Sequence, residues 1–170
     1  MRMRTAVVLG MVAASAAGLY LAVAAFVGRE SNLDILKSLA DAQDFELLSL
    51  DPASFGQVPA GHQTAFGWEV LGSARIGDAK TRSMLITTLA SDIFTGKESS
   101  MKCFQPRHAI RAVQRGRSVT ILICFQCKTI HVYFGSINKP TKSVLVNDAP
   151  EGEFDRVLRM ADVRLAEKVH

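Results

Sequence analysis

Between residues 110 and 134 the chain alternates, turns and then changes phase, and that pattern constrains the fold more than any other. Ile110-Arg111-Ala112-Val113-Gln114 alternates as a half-buried strand does, and Arg115-Gly116-Arg117 supplies a hairpin turn around its glycine. On the returning strand, residues 118–125, Val119, Ile121, Ile123 and Phe125 share one face, while Thr120, Leu122 and Cys124 share the other. Past Phe125 the apolar set becomes Ile130, Val132 and Phe134, with Thr129, His131 and Tyr133 as the more polar set. A one-residue slip turns every side chain to the opposite face, so a bulge or turn must lie between Gln126 and Thr129. Cys127 sits at that break.

Residues 101–134 also hold all three cysteines and two of the four histidines. Thiolate and neutral imidazole are the ligands that zinc and the late transition metals prefer, and four of them complete a tetrahedral site. Cys103, His108, Cys124 and Cys127 provide such a set, with zinc or another transition metal as the cofactor. Cys103 and His108 flank Pro106 in a loop able to fold over the Cys-x-x-Cys pair. In a straight strand Cys124 and Cys127 point to opposite faces, so their convergence depends on the bend. A disulfide is the competing reading: Cys124 with Cys127, or Cys103 with either, would staple loop to strand, with His108 a hydrogen-bonded loop residue. Buried free thiols are a third. An odd cysteine count leaves at least one thiol unpaired, metal-bound or joined to another molecule.

The flanking segments read as a scaffold for this stretch. Ser31-Asn32 can cap a short helix over residues 33–40, and residues 45–50 form a strand broken at Asp51-Pro52. Residues 66–76 form a strand in which Gly67 and Gly72 imply a bulge or a close contact. Asp78 caps a helix over residues 80–94, where Leu85, Leu89 and Ile93 recur on one face and Gly96 is the stop. Residues 143–146 make an edge strand. Pro150-Glu151-Gly152-Glu153 opens a last helix whose apolar stripe is Phe154, Val157, Leu158, Ala161 and Leu165. The expected fold class is α+β, with an N-terminal transmembrane helix followed by a largely antiparallel sheet carrying helices on one face.

That transmembrane expectation rests on residues 5–27, an uncharged run preceded by Arg2 and Arg4 and closed by Arg29-Glu30. At about 1.5 Å per residue a helix over this run is roughly 34 Å long, enough for a hydrocarbon core of about 30 Å. Val23-Ala24-Ala25 alternatively suits signal peptidase, making the run a cleaved signal peptide. Residues 1–28 are thus an anchor or signal peptide, and residues 29–170 an extracytoplasmic domain, either held by a single membrane pass or periplasmic or secreted after cleavage. The membrane is the expected partner through the N-terminal helix. The excess of basic residues, 20 Lys and Arg against 16 Asp and Glu, is too small to indicate nucleic acid. An oxidising compartment favours the disulfide.

Several chemistries lose support on motif grounds. Reactive Cys-x-x-Cys pairs usually begin a helix, whereas this one is flanked by strand sequence. Haem attachment needs His directly after the second cysteine, where this chain has Lys128. No G-x-S-x-G, H-E-x-x-H, G-x-G-x-x-G or P-loop pattern occurs, so no catalytic residue is assigned. Arg107, Arg111, Arg115 and Arg117 read as a solvated hairpin, His131 and Tyr133 as the solvent side of a strand, and Trp68 as core.

C-F-Q-P-R-H at residues 103–108 and I-C-F-Q-C at 123–127 resemble a group of small bacterial exported or membrane-anchored proteins with a Cys-Phe-x-Pro-Arg-His loop and an Ile-Cys-Phe-x-Cys strand. The strand near Phe66 and the last helix are also similar. Such sequences often have an acidic residue in place of Gln126 and Gly in place of Ala109. The resemblance implies that the two motifs form one site and assigns no chemistry. The expected role is a binding or accessory domain with a Cys/His site, held by a disulfide or a metal. The alternative is a thiol–disulfide redox protein using Cys124 and Cys127, with Cys103 as resolving partner.

Overall fold

The hairpin lies at Arg115 and Gly116, whose φ angles of 49° and 76° are the paired left-handed conformations that a two-residue turn between antiparallel strands requires. A computed structural model of the chain describes residues 32–95, 97, 103–137, 139–146 and 151–167. All belong to one folded unit, Asn32–His170. Helix α1 (Asn32–Ala40) precedes β1 (Asp44–Leu50), β2 (Thr64–Ala65) and β3 (Trp68–Arg75). Helix α2 (Ala79–Thr95) leads to β4 (His108–Gln114), β5 (Arg117–Cys124), β6 (Thr129–Phe134), β7 (Lys142–Leu145) and α3 (Glu151–Met160).

The strands form one curled sheet in the order β2-β3-β1-β4-β5-β6-β7, every adjacent pair antiparallel. One face is covered by a cluster that includes Ile35 and Leu39 of α1, Leu85, Leu89 and Ile93 of α2, and Phe154, Val157 and Leu158 of α3. The same cluster takes Val119, Ile121 and Ile123 from β5 and Ile130 and Val132 from β6. The opposite face holds Leu48, Leu50, Trp68, Ala109, Leu122 and Tyr133, with Phe66 and Phe104 packed against them. The phase change between β5 and β6 is absorbed by a turn in which Lys128 takes φ 48° and donates its N–H to the Phe125 carbonyl at 3.1 Å.

The fold class expected from sequence needs correction. Seven antiparallel strands and three helices make up the described fold, and no helix among the described residues is long and apolar enough to cross a membrane. The run at 5–27, to which the span was assigned, lies outside the described residues. The single-pass placement is corrected to that extent: none of the described helices supplies a membrane span.

Local departures have simple causes. The strand expected over 66–76 is a hairpin, because Phe66 (φ 50°) and Gly67 (φ 95°) form a turn that pairs Ala65 with Trp68. Helix α3 stops at Met160, short of the stripe that reached Leu165. Asp162 takes φ 55° there, and the Val163 N–H donates to the Leu158 carbonyl at 3.0 Å, a left-handed cap that turns the chain back. Val163 and Leu165 still pack on the first cluster, but from the segment after the helix. Gly72 permits this, since a Cβ there would lie 2.9 Å from Val163 Cγ1.

Candidate functional site

His108 opens β4 and shares a face with Ile110 and Ala112, so its ring enters the cluster beneath the helices and is 1% exposed. The rings of Phe125 and Phe154 stand nearly edge-on to it, with centroids at 5.4 and 5.9 Å. From α3, Asp155 reaches the same point, its Oδ1 accepting a hydrogen bond from His108 Nε2 at 2.9 Å. Asp155 is 3% exposed. Hydrogen bonding from His108 holds its carboxyl below the usual carboxylate range against the opposing effect of burial, with help from the charges of His108, Arg107 and Arg159. An ionised carboxylate only accepts, so the proton of this bond sits on Nε2.

Glu151 lies one turn before Asp155 on the same side of α3. Arg107, just ahead of β4, donates from Nη1 to Glu151 Oε1 at 2.5 Å and from Nη2 to the Ala166 carbonyl at 2.5 Å. It thereby ties the start of β4 to both the beginning of α3 and the segment after it. Arg159 Nη2 meets the other Asp155 oxygen at 3.3 Å from a largely exposed position, where screening leaves the pair little energy. One ligand atom each from His108, Glu151 and Asp155 lies within 4.8 Å of the others, so this cluster can hold a metal ion. Its donors come from two elements distant in sequence, and the fold alone brings them together.

The four sequence-assigned ligands divide differently. Cys124 and Cys127 form a disulfide with Cα atoms 5.2 Å apart, and the Cys127 N–H donates to Cys124 Sγ at 3.0 Å. Cys103 is free and exposed. His108 pairs with Ile123 across the β4–β5 ladder and shares its face, whereas Cys124, one residue on, belongs to the opposite face. The sheet therefore separates the imidazole from the Cys124 sulfur. The two motifs are nevertheless adjacent: the Arg107 N–H donates to the Ile123 carbonyl at 3.3 Å, and Phe125 touches the His108 ring.

Two further readings change. Arg107 and Arg111 are paired, with Glu151 and Glu46 respectively, instead of extending freely into solvent. Tyr133 is buried against Phe66, and His131 is half-buried with its ring stacked on Phe104 at 3.7 Å. Burial raises the Tyr133 pKa and lowers that of His131. Glu151 and Asp155 were missed as site residues. Their spacing carried a usable signal, because Asp155 is an acid set inside the apolar stripe of α3, between Phe154 and Val157–Leu158. Comparison of the chain with protein-family models, curated proteins and solved structures returned no match.

Proposed function

We propose that this domain is a binding or accessory module that takes up a divalent first-row transition ion, zinc foremost, on His108, Glu151 and Asp155. The supporting observation is the convergence of one imidazole and two carboxylates, buried or half-buried, within 4.8 Å. One nitrogen and two oxygens are ligands that zinc, manganese and iron accept, whereas the Cys124–Cys127 disulfide withdraws two thiolates from the cysteine-rich set inferred from spacing. The ion would replace the proton now shared between His108 Nε2 and Asp155 Oδ1, while Arg159 keeps the other Asp155 oxygen. Because the ligands join β4 to α3, binding would fasten the last helix to the sheet. The disulfide fixes the β5–β6 turn independently.

Zinc titration of the metal-free full-length chain by calorimetry and thermal denaturation tests this. Uptake of about one ion per chain is expected, with a gain of about 2.7 kcal/mol when free zinc reaches a hundred times Kd. His108→Gln and Asp155→Asn should abolish the gain. No zinc binding by the folded wild-type chain would refute the proposal.

A second reading, thiol–disulfide exchange, is favoured by the Cys124–Cys127 disulfide together with the free, exposed Cys103. Cys124 is 1% exposed at the end of a strand, without the helix N-terminus that lowers thiol pKa in reactive pairs, so attack would have to fall on the half-buried Cys127 sulfur. Reduction of a model disulfide by the reduced chain, lost in Cys127→Ser, would support this reading. A reduced chain that is inert in that assay would retire it.

A further inference from the structure

Three buried polar atoms near the cluster lack a hydrogen-bond partner among the described residues, Arg107 Nε, Ser49 Oγ and His108 Nδ1, and the last two concern the ring itself. Those two belong to residues facing each other, since Ser49 and His108 are Cα partners in the β1–β4 ladder. The next pair along, Leu50 and Arg107, is the hydrogen-bonded one, with the Leu50 N–H donating to the Arg107 carbonyl at 2.9 Å. Ser49 and His108 therefore form a non-hydrogen-bonded pair, the class whose side chains approach most closely, with Cβ atoms about 4.5–5.5 Å apart. Both point into the cluster under the helices, Ser49 by alternation with Leu47 and His108 by its ring contacts. On its other side Ser49 pairs with Gly72, which contributes no side chain. His108 is thus the only cross-strand side chain in register with the serine, and Ser49 is fully buried.

Resting on the metal reading above, we infer that Ser49 is the positioning residue for His108, its hydroxyl serving both tautomers of the ring. In the neutral tautomer in which Nε2 carries the proton and donates to Asp155, Nδ1 accepts from the Ser49 hydroxyl through one buried water, the two side chains making no direct bond in this structure. When an ion takes the Nε2 lone pair, that proton leaves for solvent and Nδ1 gains one. The Nδ1–H then donates to the Ser49 oxygen through the same water. A hydroxyl can reverse its role by rotating, which neither a carbonyl nor an amide N–H can do. A second partner that fixes the tautomer and orientation of a metal-bound histidine is worth about 10–100-fold in affinity.

The test compares the full-length wild-type chain with Ser49→Ala, which keeps the shape of the site. Two measurements are made: zinc affinity by calorimetry, and the imidazole ¹⁵N resonances of His108 in the metal-free chain. The inference expects about a 10–100-fold weaker zinc affinity in Ser49→Ala, and a wild-type Nδ1 resonance shifted by a hydrogen bond that the variant lacks. Equal zinc affinity in the two chains overturns it and leaves the metal site standing. If the wild type binds no zinc, the metal reading fails, and the resonances alone decide: an identical Nδ1 signal in both chains removes Ser49 from His108 altogether. A serine that merely filled space would lower stability while moving neither readout.

Discussion

Replacing Asp155 with leucine should destabilise the metal-free domain far more than an ordinary surface change, and removing His108 as well should restore most of the loss. The single substitution deletes a 2.9 Å hydrogen bond between a carboxylate that is 3% exposed and an imidazole that is 1% exposed. A hydrogen bond to a charged group contributes about 1.5–3 kcal/mol, and the donor left unpaired on His108 Nε2 adds about 1–3 kcal/mol of desolvation cost. Together they span about 2.5–6 kcal/mol, which brackets the roughly 3–5 kcal/mol expected on breaking a buried pair from one side. For a domain of this size each kcal/mol moves Tm by about 3 °C, so the midpoint should fall by about 10–15 °C. The double substitution His108→Leu with Asp155→Leu removes both polar partners from a site walled by Phe125 and Phe154, and an apolar replacement of a buried pair is often neutral. Thermal and urea denaturation of the four chains in chelator measures the coupling. Additive effects in the double variant, or a loss below about 1 kcal/mol in Asp155→Leu, would refute the view of this pair as a buried, mutually dependent unit.

Other expectations follow from the same geometry. Asp155 is held below its ordinary pKa, so its contribution is complete above about pH 3.9 and disappears as pH falls through its folded-state value; the stability gap between wild type and Asp155→Asn should narrow in acid. Burial depresses the His131 pKa, so below about pH 6.5 the unfolded chain takes up a proton that the folded chain does not. Stability should fall as pH drops through that window, and His131→Phe should fall less. Gly72→Ala would press a methyl to 2.9 Å from Val163 Cγ1 and should cost about 1–3 kcal/mol in urea melts. Reducing the Cys124–Cys127 disulfide, which closes a very short loop, should lower stability by about 2 kcal/mol while leaving zinc binding intact.

Much of the scaffold is written locally. The alternation in β4, β5 and β6 assigns Ile121 to one face and Leu122 to the other, and the turn at Arg115–Gly116 needs only a residue without a Cβ beside one that tolerates positive φ. Asp78 as the cap of α2 is equally local, its Oδ2 accepting the Thr81 N–H at 2.6 Å. The site is different, because its chemistry depends on long-range placement. Cys124 and Cys127 are near in sequence, and their disulfide was among the readings that spacing left open. His108 and Asp155 are 47 residues apart, and nothing in either segment reveals that the end of one strand lies under the first turns of the last helix. The same holds for Ser49, an unremarkable serine between Leu48 and Leu50 until the ladder sets it opposite His108. The period-two pattern did contain one unused constraint: it puts His108 and Cys124 on opposite faces once their strands are paired, which separates a metal-ligand set that spacing alone had joined.

The central claim, an ion held by His108, Glu151 and Asp155, is tested most directly by cobalt substitution. Cobalt(II) is titrated into the metal-free full-length chain and its absorption spectrum recorded, alongside His108→Gln and a Cys124→Ser/Cys127→Ser variant. The account predicts uptake of about one ion per chain, with weak visible bands and no sulfur-to-cobalt charge-transfer band. Binding should be lost in His108→Gln and kept in the cysteine variant. A strong charge-transfer band that vanishes with the cysteines, or the absence of any cobalt spectrum in the folded wild-type chain, would contradict it.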